Sequence, residues 1–136
     1  MLSVNSYPKE YVDACRARTK AQVAAYRKLV KSATNDAAIA AFEPVFFNNM
    51  LLVLDESFMH RSRNMEGKDG NPMNEVRVLC NSILQNEGVM AADKTIKMKP
   101  ERTVLQYDVG DHIRVSEAGF LRLAEAFFAA IESTYP

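Results

Sequence analysis

Residues 44–63 read PVFFNNMLLVLDESFMHRSR, and this stretch decides the fold. Four large apolar residues recur in it at offsets of three and four, which places them on one helical face: Phe47, Leu51, Leu54 and Phe58. Further apolar residues continue around most of the circumference: Phe46, Met50, Leu52, Val53 and Met59. Such a helix packs centrally or against a second subunit. We therefore expect one continuous helix over residues 44–63, shielded by the other helices or by a second copy of the chain.

Three further segments have helical periodicity, over residues 8–32, 72–87 and from 117 onward. A shorter helix is expected over residues 37–42. Pro44 has no backbone N–H and its ring crowds the preceding turn, so we expect a kink between this piece and the main part of the second helix. Asn71 and Ser116 are residue types that cap helix N-termini, and they precede the third and last helices.

The segment before the last helix has a different pattern. Residues 95–98, 103–107 and 112–115 alternate in the manner of short strands, and residues 108–111 form a turn that joins the last two as a hairpin. We therefore predict a mainly α single domain over residues 1–136. It is a four-helix arrangement, with the second helix kinked at Pro44 and a small β-ribbon inserted before the last helix. The alternating strand–helix order of a nucleotide-binding parallel sheet is missing.

Composition limits the partners. Seventeen basic residues balance seventeen acidic ones, so no net charge attracts the chain to nucleic acid or to a membrane surface. The first helix has a basic face, but without interleaved aromatic residues, which favours a solvated surface. The apolar run at residues 45–54 is too short to span a membrane, and the start of the chain does not resemble a secretory signal. We expect a cytoplasmic protein that binds neither nucleic acid nor membrane.

A polar segment over residues 55–77 is the first candidate for a site. On a helix, Asn49, Glu56 and His60 lie at offsets of seven and four and share one face. A carboxylate one turn from an imidazole can fix its tautomer, which makes Glu56 and His60 candidate catalytic residues. Arg61 and Arg63 follow and can hold an anion through their forked donors. The alternative is an exposed pair at the solvated end of a buried helix.

The loop NMEGKDGN, residues 64–71, extends this candidate site. The third helix begins directly after it, so free backbone N–H groups can bind an anion beside Lys68, with Arg63 and Arg77 nearby. The alternative is a tight turn between helices, because the loop has neither the spacing of a phosphate-binding loop nor that of a calcium loop. The candidate ligand-binding residues are Asn49, Arg61, Arg63, Lys68 and Arg77.

We predict no metal and no cofactor. The chain has two histidines, His60 and His112, and lacks the paired Glu-x-x-His motifs of di-iron bundles. A zinc or iron site would require the histidines to meet one of three glutamates: Glu43, Glu66 or Glu75. Cys15 and Cys80 lie at apolar helical positions and are expected to be buried free thiols.

Two functions therefore remain open. The first is a homodimeric binding or scaffold protein that associates through the apolar faces of the second and last helices. The second is a site for a small anionic molecule, with or without a reaction, in which Glu56 and His60 act beside Arg61 and Arg63. The sequence identifies no family with an assigned activity.

Overall fold

The computed structural model describes residues 3–136 and is built from helices joined by irregular loops. Its helices are α1 (Lys9–Ser32), α2 (Asp36–Glu56), the short α3 (Arg63–Glu66), α4 (Pro72–Gln85) and α5 (Glu117–Thr134), with a turn of 3-10 helix at Pro100–Arg102. Both α2 and α5 pack against α1 and α4, and they also pack against each other. The prediction of a mainly helical protein is confirmed.

Polar side chains fix where the helices begin. Asn35 accepts a hydrogen bond from the Ala38 N–H at the start of α2, and Ser116 accepts one from the Gly119 N–H at the start of α5. Asn71 accepts from two backbone N–H groups in the first turn of α4. Each cap satisfies donors that have no partner within the helix and contributes about 1 kcal/mol. The caps predicted at Asn71 and Ser116 are confirmed.

The second helix differs from its prediction at both ends. It runs unbroken from Asp36 through Pro44, so the separate piece over residues 37–42 does not exist, and it ends at Glu56. The prediction of one helix over residues 44–63 is wrong. The helical pattern gives way at Phe58, whose N–H donates three residues back to the Asp55 carbonyl at 3.0 Å. The chain then pairs with the N-terminal segment: the Val4 N–H donates to the His60 carbonyl and the Ser62 N–H donates to the Val4 carbonyl, both at 2.8 Å. The Ser62 N–H is therefore used outside any helix.

The predicted β-ribbon is also wrong. Over residues 3–136 there are no strands, although two isolated bridges pair Val4 with Arg61 and Val89 with His112. The Val104 and Leu105 N–H groups, which a hairpin would use, donate instead to the carboxylate of Glu75 at 2.8 and 2.9 Å. Gln106 has a φ of 57°, which an extended strand does not allow.

Only the predicted turn at residues 108–111 forms, closed by a 3.0 Å bond from the Asp111 N–H to the Asp108 carbonyl. The chain after it pairs with residues 88–90 instead of with residues 103–107. Its contacts are a 2.8 Å bond from the Ile113 N–H to the Gly88 carbonyl and one of the same length from the Met90 N–H to the Asp111 carbonyl.

Aromatic residues join the helices at the core. The Phe47 ring on α2 lies 5.4 Å from Phe120 on α5, and the Phe58 ring after α2 lies 5.6 Å from Phe127. These four side chains are at most 1% exposed. The face predicted from residues 47, 51, 54 and 58 is buried, since burial of apolar side chains is the main force that drives folding. The opposite face of α2 remains at the surface.

Candidate functional site

The residues of the predicted anion site separate into an interior group and a surface group. Arg61 is 1% exposed and Arg77 is half-buried. The remaining candidates all lie exposed on the surface: Asn49, Glu56, His60, Arg63 and Lys68. The structure therefore brings together two of the predicted arginines, and it does so inside the protein.

Arg61 directs its guanidinium at protein atoms. Its Nε donates to Glu66 Oε1 at 2.8 Å, its Nη1 to the Phe58 carbonyl at 3.0 Å and its Nη2 to the Met73 carbonyl at 3.3 Å. The same Nη2 lies 3.0 Å from Asp55 Oδ1, a buried oxygen that forms no aligned hydrogen bond. The guanidinium also lies over the Phe127 ring, 5.5 Å from its centroid. Arg61 thus anchors the end of α2 to α3, α4 and α5.

Glu66 is the common acceptor of this group. It is 3% exposed and receives hydrogen bonds from Arg61, from Arg77 Nε and Nη2 at 3.1 and 2.7 Å, and from Asn74 Nδ2 at 2.8 Å. Burial by itself raises the pKa of Glu66. The hydrogen bond from Arg77 and the charges of both arginines outweigh burial and hold that pKa below its ordinary value. We call Asp55, Arg61, Glu66, Asn74 and Arg77 the arginine–glutamate cluster.

The loop around α3 presents Glu66 to the two arginines. Ser62 caps α3 by accepting from the Met65 N–H, and α3 ends at Gly67, whose φ is 77°. The Asn74 side chain closes the loop, because its Oδ1 accepts from the Gly70 N–H at 2.9 Å and its Nδ2 donates to the Gly67 carbonyl at 3.0 Å. The glycines and asparagines that resemble an anion loop in the sequence hold this turn in shape.

Sequence reasoning missed Glu66 and Asn74 as partners of the arginines. Glu66 follows Arg61 by five residues and precedes Arg77 by eleven, and the three residues lie on different elements. No helical or strand period joins such positions. The one available signal was the surplus of Gly and Asn in residues 64–71, which indicates a turn but not what the turn encloses.

The predicted Glu56–His60 pair lacks its geometric basis. The offset of four places two side chains on one face only within a helix, and α2 ends at Glu56, so residues 57–60 form a turn. His60 is exposed, and its carbonyl pairs with Val4. Glu56 lines a groove to which His60 does not contribute. Arg61 and Arg77 are committed to Glu66, so an anion would meet only Arg63 and Lys68 among the predicted cations, and we build no reaction on this set.

The glutamates considered as metal ligands have other contacts. Glu43 accepts from the Glu117 N–H at 2.8 Å at the start of α5, and Glu75 holds the backbone of Val104 and Leu105. Burial raises the pKa of Glu75, and the two backbone N–H groups oppose that rise only in part. Across residues 3–136 no group of three His, Cys, Asp or Glu side chains has the geometry to hold a metal ion.

Both cysteines are free and buried. The Cys80 Sγ donates to the Leu51 carbonyl at 3.4 Å, and burial strongly raises the pKa of this thiol. A thiol with a raised pKa carries little thiolate and is a poor nucleophile. Cys80 therefore packs α4 against α2.

The least expected surface is on α2. Phe42, Val45 and Val53 are 43%, 56% and 47% exposed, and with Asn49 and Glu56 they follow one another at offsets of three and four. These five residues form a continuous line along the outer face of α2. We call this line the outer stripe. It leaves large apolar side chains in water along most of the length of α2.

A groove lies at each end of the outer stripe. The N-terminal groove, about 250 Å³, is lined by residues of α1 and α2: Gln22, Ala25, Tyr26, Leu29, Phe42 and Phe46. Its aromatic rings stack, with Tyr26 and Phe46 centroids 5.4 Å apart and Phe42 and Phe46 centroids 5.7 Å apart. The C-terminal groove, about 410 Å³, is lined by residues of α2, its following turn and α4: Leu52, Val53, Asp55, Glu56, Ser57, Cys80 and Leu84.

Each groove also has a protruding leucine at its edge. Leu29, on α1, is 58% exposed and Leu84, on α4, is 65% exposed. Among the described helices, α2 alone is long and apolar enough to cross a membrane by length and composition, with a mean hydropathy of 1.6 over an 18-residue window of which 22% is buried. Core helices of soluble proteins pass the same test, but they are mostly buried. The outer stripe with its two grooves is the candidate functional surface.

We compared the chain with protein-family models, with curated proteins and with solved structures, and none of them matched.

Proposed function

We propose that this protein is a homodimeric binding or scaffold protein and that the outer stripe of α2 is where a second copy packs. The observation that carries the proposal is the exposure of Phe42, Val45 and Val53 in a single line along α2. Scattered exposed apolar residues need no explanation, whereas a contiguous apolar surface is typical of an interface.

The energetics favour association through this surface. Each square ångström of apolar surface removed from water contributes roughly 25 cal/mol, and a two-fold interface covers the same patch on both copies. The stripe carries a single charged residue, Glu56, at its end, so few charges lose water when it is covered. Stable interfaces share this scarcity of charges, which they keep at the rim.

Sedimentation equilibrium tests the proposal. We expect the native chain to dimerise at micromolar concentration. Val45→Glu, in the middle of the stripe, places a charge in the contact and should shift the chain to monomer. Val109→Glu is the matched control, because Val109 is 66% exposed on the turn at residues 108–111 and is not part of the outer stripe, so this variant should remain dimeric.

Two results would contradict the proposal. A native chain that stays monomeric up to about 100 μM, well above the micromolar range of ordinary interfaces, removes the dimer. Flotation of the native chain with lipid vesicles, lost in Val45→Glu and kept in Val109→Glu, would assign the stripe to a membrane surface instead of to a second copy.

A further inference from the structure

We infer that the two copies pack with their α2 helices antiparallel, so that the C-terminal end of each outer stripe meets the N-terminal end of the other. This inference rests on the proposed function and specifies the partner of the stripe as the opposite end of an identical stripe. It is argued from three features of the surface: the apolar side chains at its two ends, its charges and the residue near its centre.

Both ends of the stripe offer apolar contacts. Each end has a concave groove and a protruding leucine, with Leu29 at the N-terminal groove and Leu84 at the C-terminal groove. Phe42 and Val53 mark the two ends and lie roughly 16 Å apart along the helix axis, at 1.5 Å per residue. With a two-fold axis midway between them, Phe42 of one copy faces Val53 of the other. The two grooves lie on opposite flanks of the stripe, between α1 and α2 and between α2 and α4, so the contact is made by the stripe itself.

A parallel pair is less favourable on charge. It would place the two copies of Glu56 beside each other at one end of the interface, and Asp55 of each copy would lie close by. An antiparallel pair instead brings Glu56 towards the partner's end of α1, where Lys28 and Lys31 are exposed and form no ion pair among the described residues. Antiparallel helix dipoles also attract. Exposed ion pairs contribute at most about 1 kcal/mol each, so these charges select the orientation and not the affinity.

Asn49 lies near the middle of the stripe. Its Nδ2 already donates to the Val45 carbonyl at 2.8 Å, so part of its hydrogen-bonding requirement is met without water. A polar residue in the centre of an apolar helix contact lowers stability and favours one register over shifted ones. The stripe thus combines apolar contacts at both ends with a polar centre that limits how the two helices slide.

Cysteine cross-linking with a short bis-maleimide tests the orientation. Phe42→Cys and Val53→Cys are made separately, and their dimeric state is confirmed by sedimentation before cross-linking. In an antiparallel dimer, the equimolar mixture of the two variants should give at least about tenfold more covalent dimer than either variant alone, because position 42 faces position 53. The native chain is the control, since Cys15 and Cys80 are each 3% exposed and should not react.

The possible outcomes distinguish failure of the antiparallel orientation from failure of the proposed homodimer. If each variant cross-links with itself as well as the mixture does, the dimer exists but the antiparallel arrangement is wrong. If the native chain is monomeric by sedimentation, the proposed function itself is wrong. A charge test adds an independent readout: Glu56→Lys should weaken the dimer about two- to fivefold, and adding Lys28→Glu and Lys31→Glu should restore it. Weakening without restoration would contradict the proposed contact between opposite ends.

Discussion

The arginine–glutamate cluster and the outer stripe of α2 differ in opposite ways from the usual rule that charged side chains lie outside and apolar ones inside. In the cluster, Arg61 and Glu66 lie inside the protein at 1% and 3% exposure, and Arg77 and Asp55 are partly buried beside them. On the stripe, phenylalanine and valine side chains lie outside. From the sequence, the charged residues of segment 55–77 predict a ligand site, and the apolar run at residues 45–54 predicts a core helix. In the structure, the charges hold the fold together and part of the apolar run is left for a partner.

The comparison shows that exposure is decided by available partners as much as by residue type. Burying a charge is costly unless hydrogen bonds replace its water, and the Arg61 guanidinium finds a carboxylate and two carbonyls within 3.3 Å. The outer face of α2 has no remaining helix to cover it, because α1, α4 and α5 occupy the other sides. Its apolar side chains gain stability only when another surface removes them from water.

The largest loss of unfolding free energy should come from removing Glu66, the shared acceptor of the arginine–glutamate cluster. Glu66→Ala leaves Arg61 and Arg77 without their carboxylate, and breaking one partner of a buried ion pair costs about 3–5 kcal/mol. Urea denaturation of a dilute sample measures the loss of unfolding free energy. Glu56→Ala is the control, because Glu56 is exposed and its removal should change the free energy of unfolding by less than about 0.5 kcal/mol. Equal losses in the two variants would show that the cluster contributes nothing to stability.

The next effect concerns the loop that encloses Glu66. Gly70 has a φ of 87°, and a Cβ added there would lie 2.7 Å from the Lys97 carbonyl oxygen. Gly70→Ala therefore combines backbone strain with a steric clash and should lower the free energy of unfolding by about 2–4 kcal/mol. Gly110→Ala separates the two causes. Gly110 has a φ of 98° and no neighbour within 4 Å of the added Cβ, so strain alone should cost about 1–2 kcal/mol. A smaller loss at Gly70 than at Gly110 would contradict the close approach to Lys97.

The acid dependence of stability should depend on Glu66. Its pKa is lower in the folded protein than the ordinary value of 4.5, so its contribution is present above pH 4.5 and is lost as the pH falls through the folded value. The pKa of Glu75 is raised, which has the opposite sign: its contribution is present below pH 4.5 and declines as the pH rises through its folded value.

Thermal unfolding of the native chain and of Glu66→Gln over a pH series measures the contribution of Glu66 to the acid dependence of stability. The native Tm should fall more steeply below pH 4.5 than the Tm of the variant. Glu75 is unchanged in both proteins, so its opposing contribution cancels in the difference. Parallel curves would show that Glu66 does not titrate with a lowered pKa.

The smallest effect on the stability of the single chain should come from the stripe. Val45 is 56% exposed, and Val45→Glu should change the free energy of unfolding at high dilution by less than about 0.5 kcal/mol. The native chain should become more stable as its concentration rises, whereas the variant should not, because dimerisation stabilises only the species that associates. Urea denaturation at two protein concentrations gives both numbers. A large loss at high dilution would mean that Val45 packs within its own chain.

The amino-acid sequence by itself determined most of the helices. The periodicity of residues 8–32 and 72–87, the caps at Asn71 and Ser116, and the buried face of the second helix all follow from local spacing and local hydrogen bonds. These features depend on residues within about one helical turn of each other. A single sequence displays such relations directly.

Only the tertiary structure decided where α2 ends, that the described part of the segment before α5 forms no strands, and what the charged residues do. The path of the chain after α2 depends on Val4, the missing hairpin on Glu75, and the contacts of Arg61 and Arg77 on Glu66. In each case the partner that decides the outcome lies on another element of the fold. The distances along the chain follow no period, so the choice becomes visible only once the helices have packed.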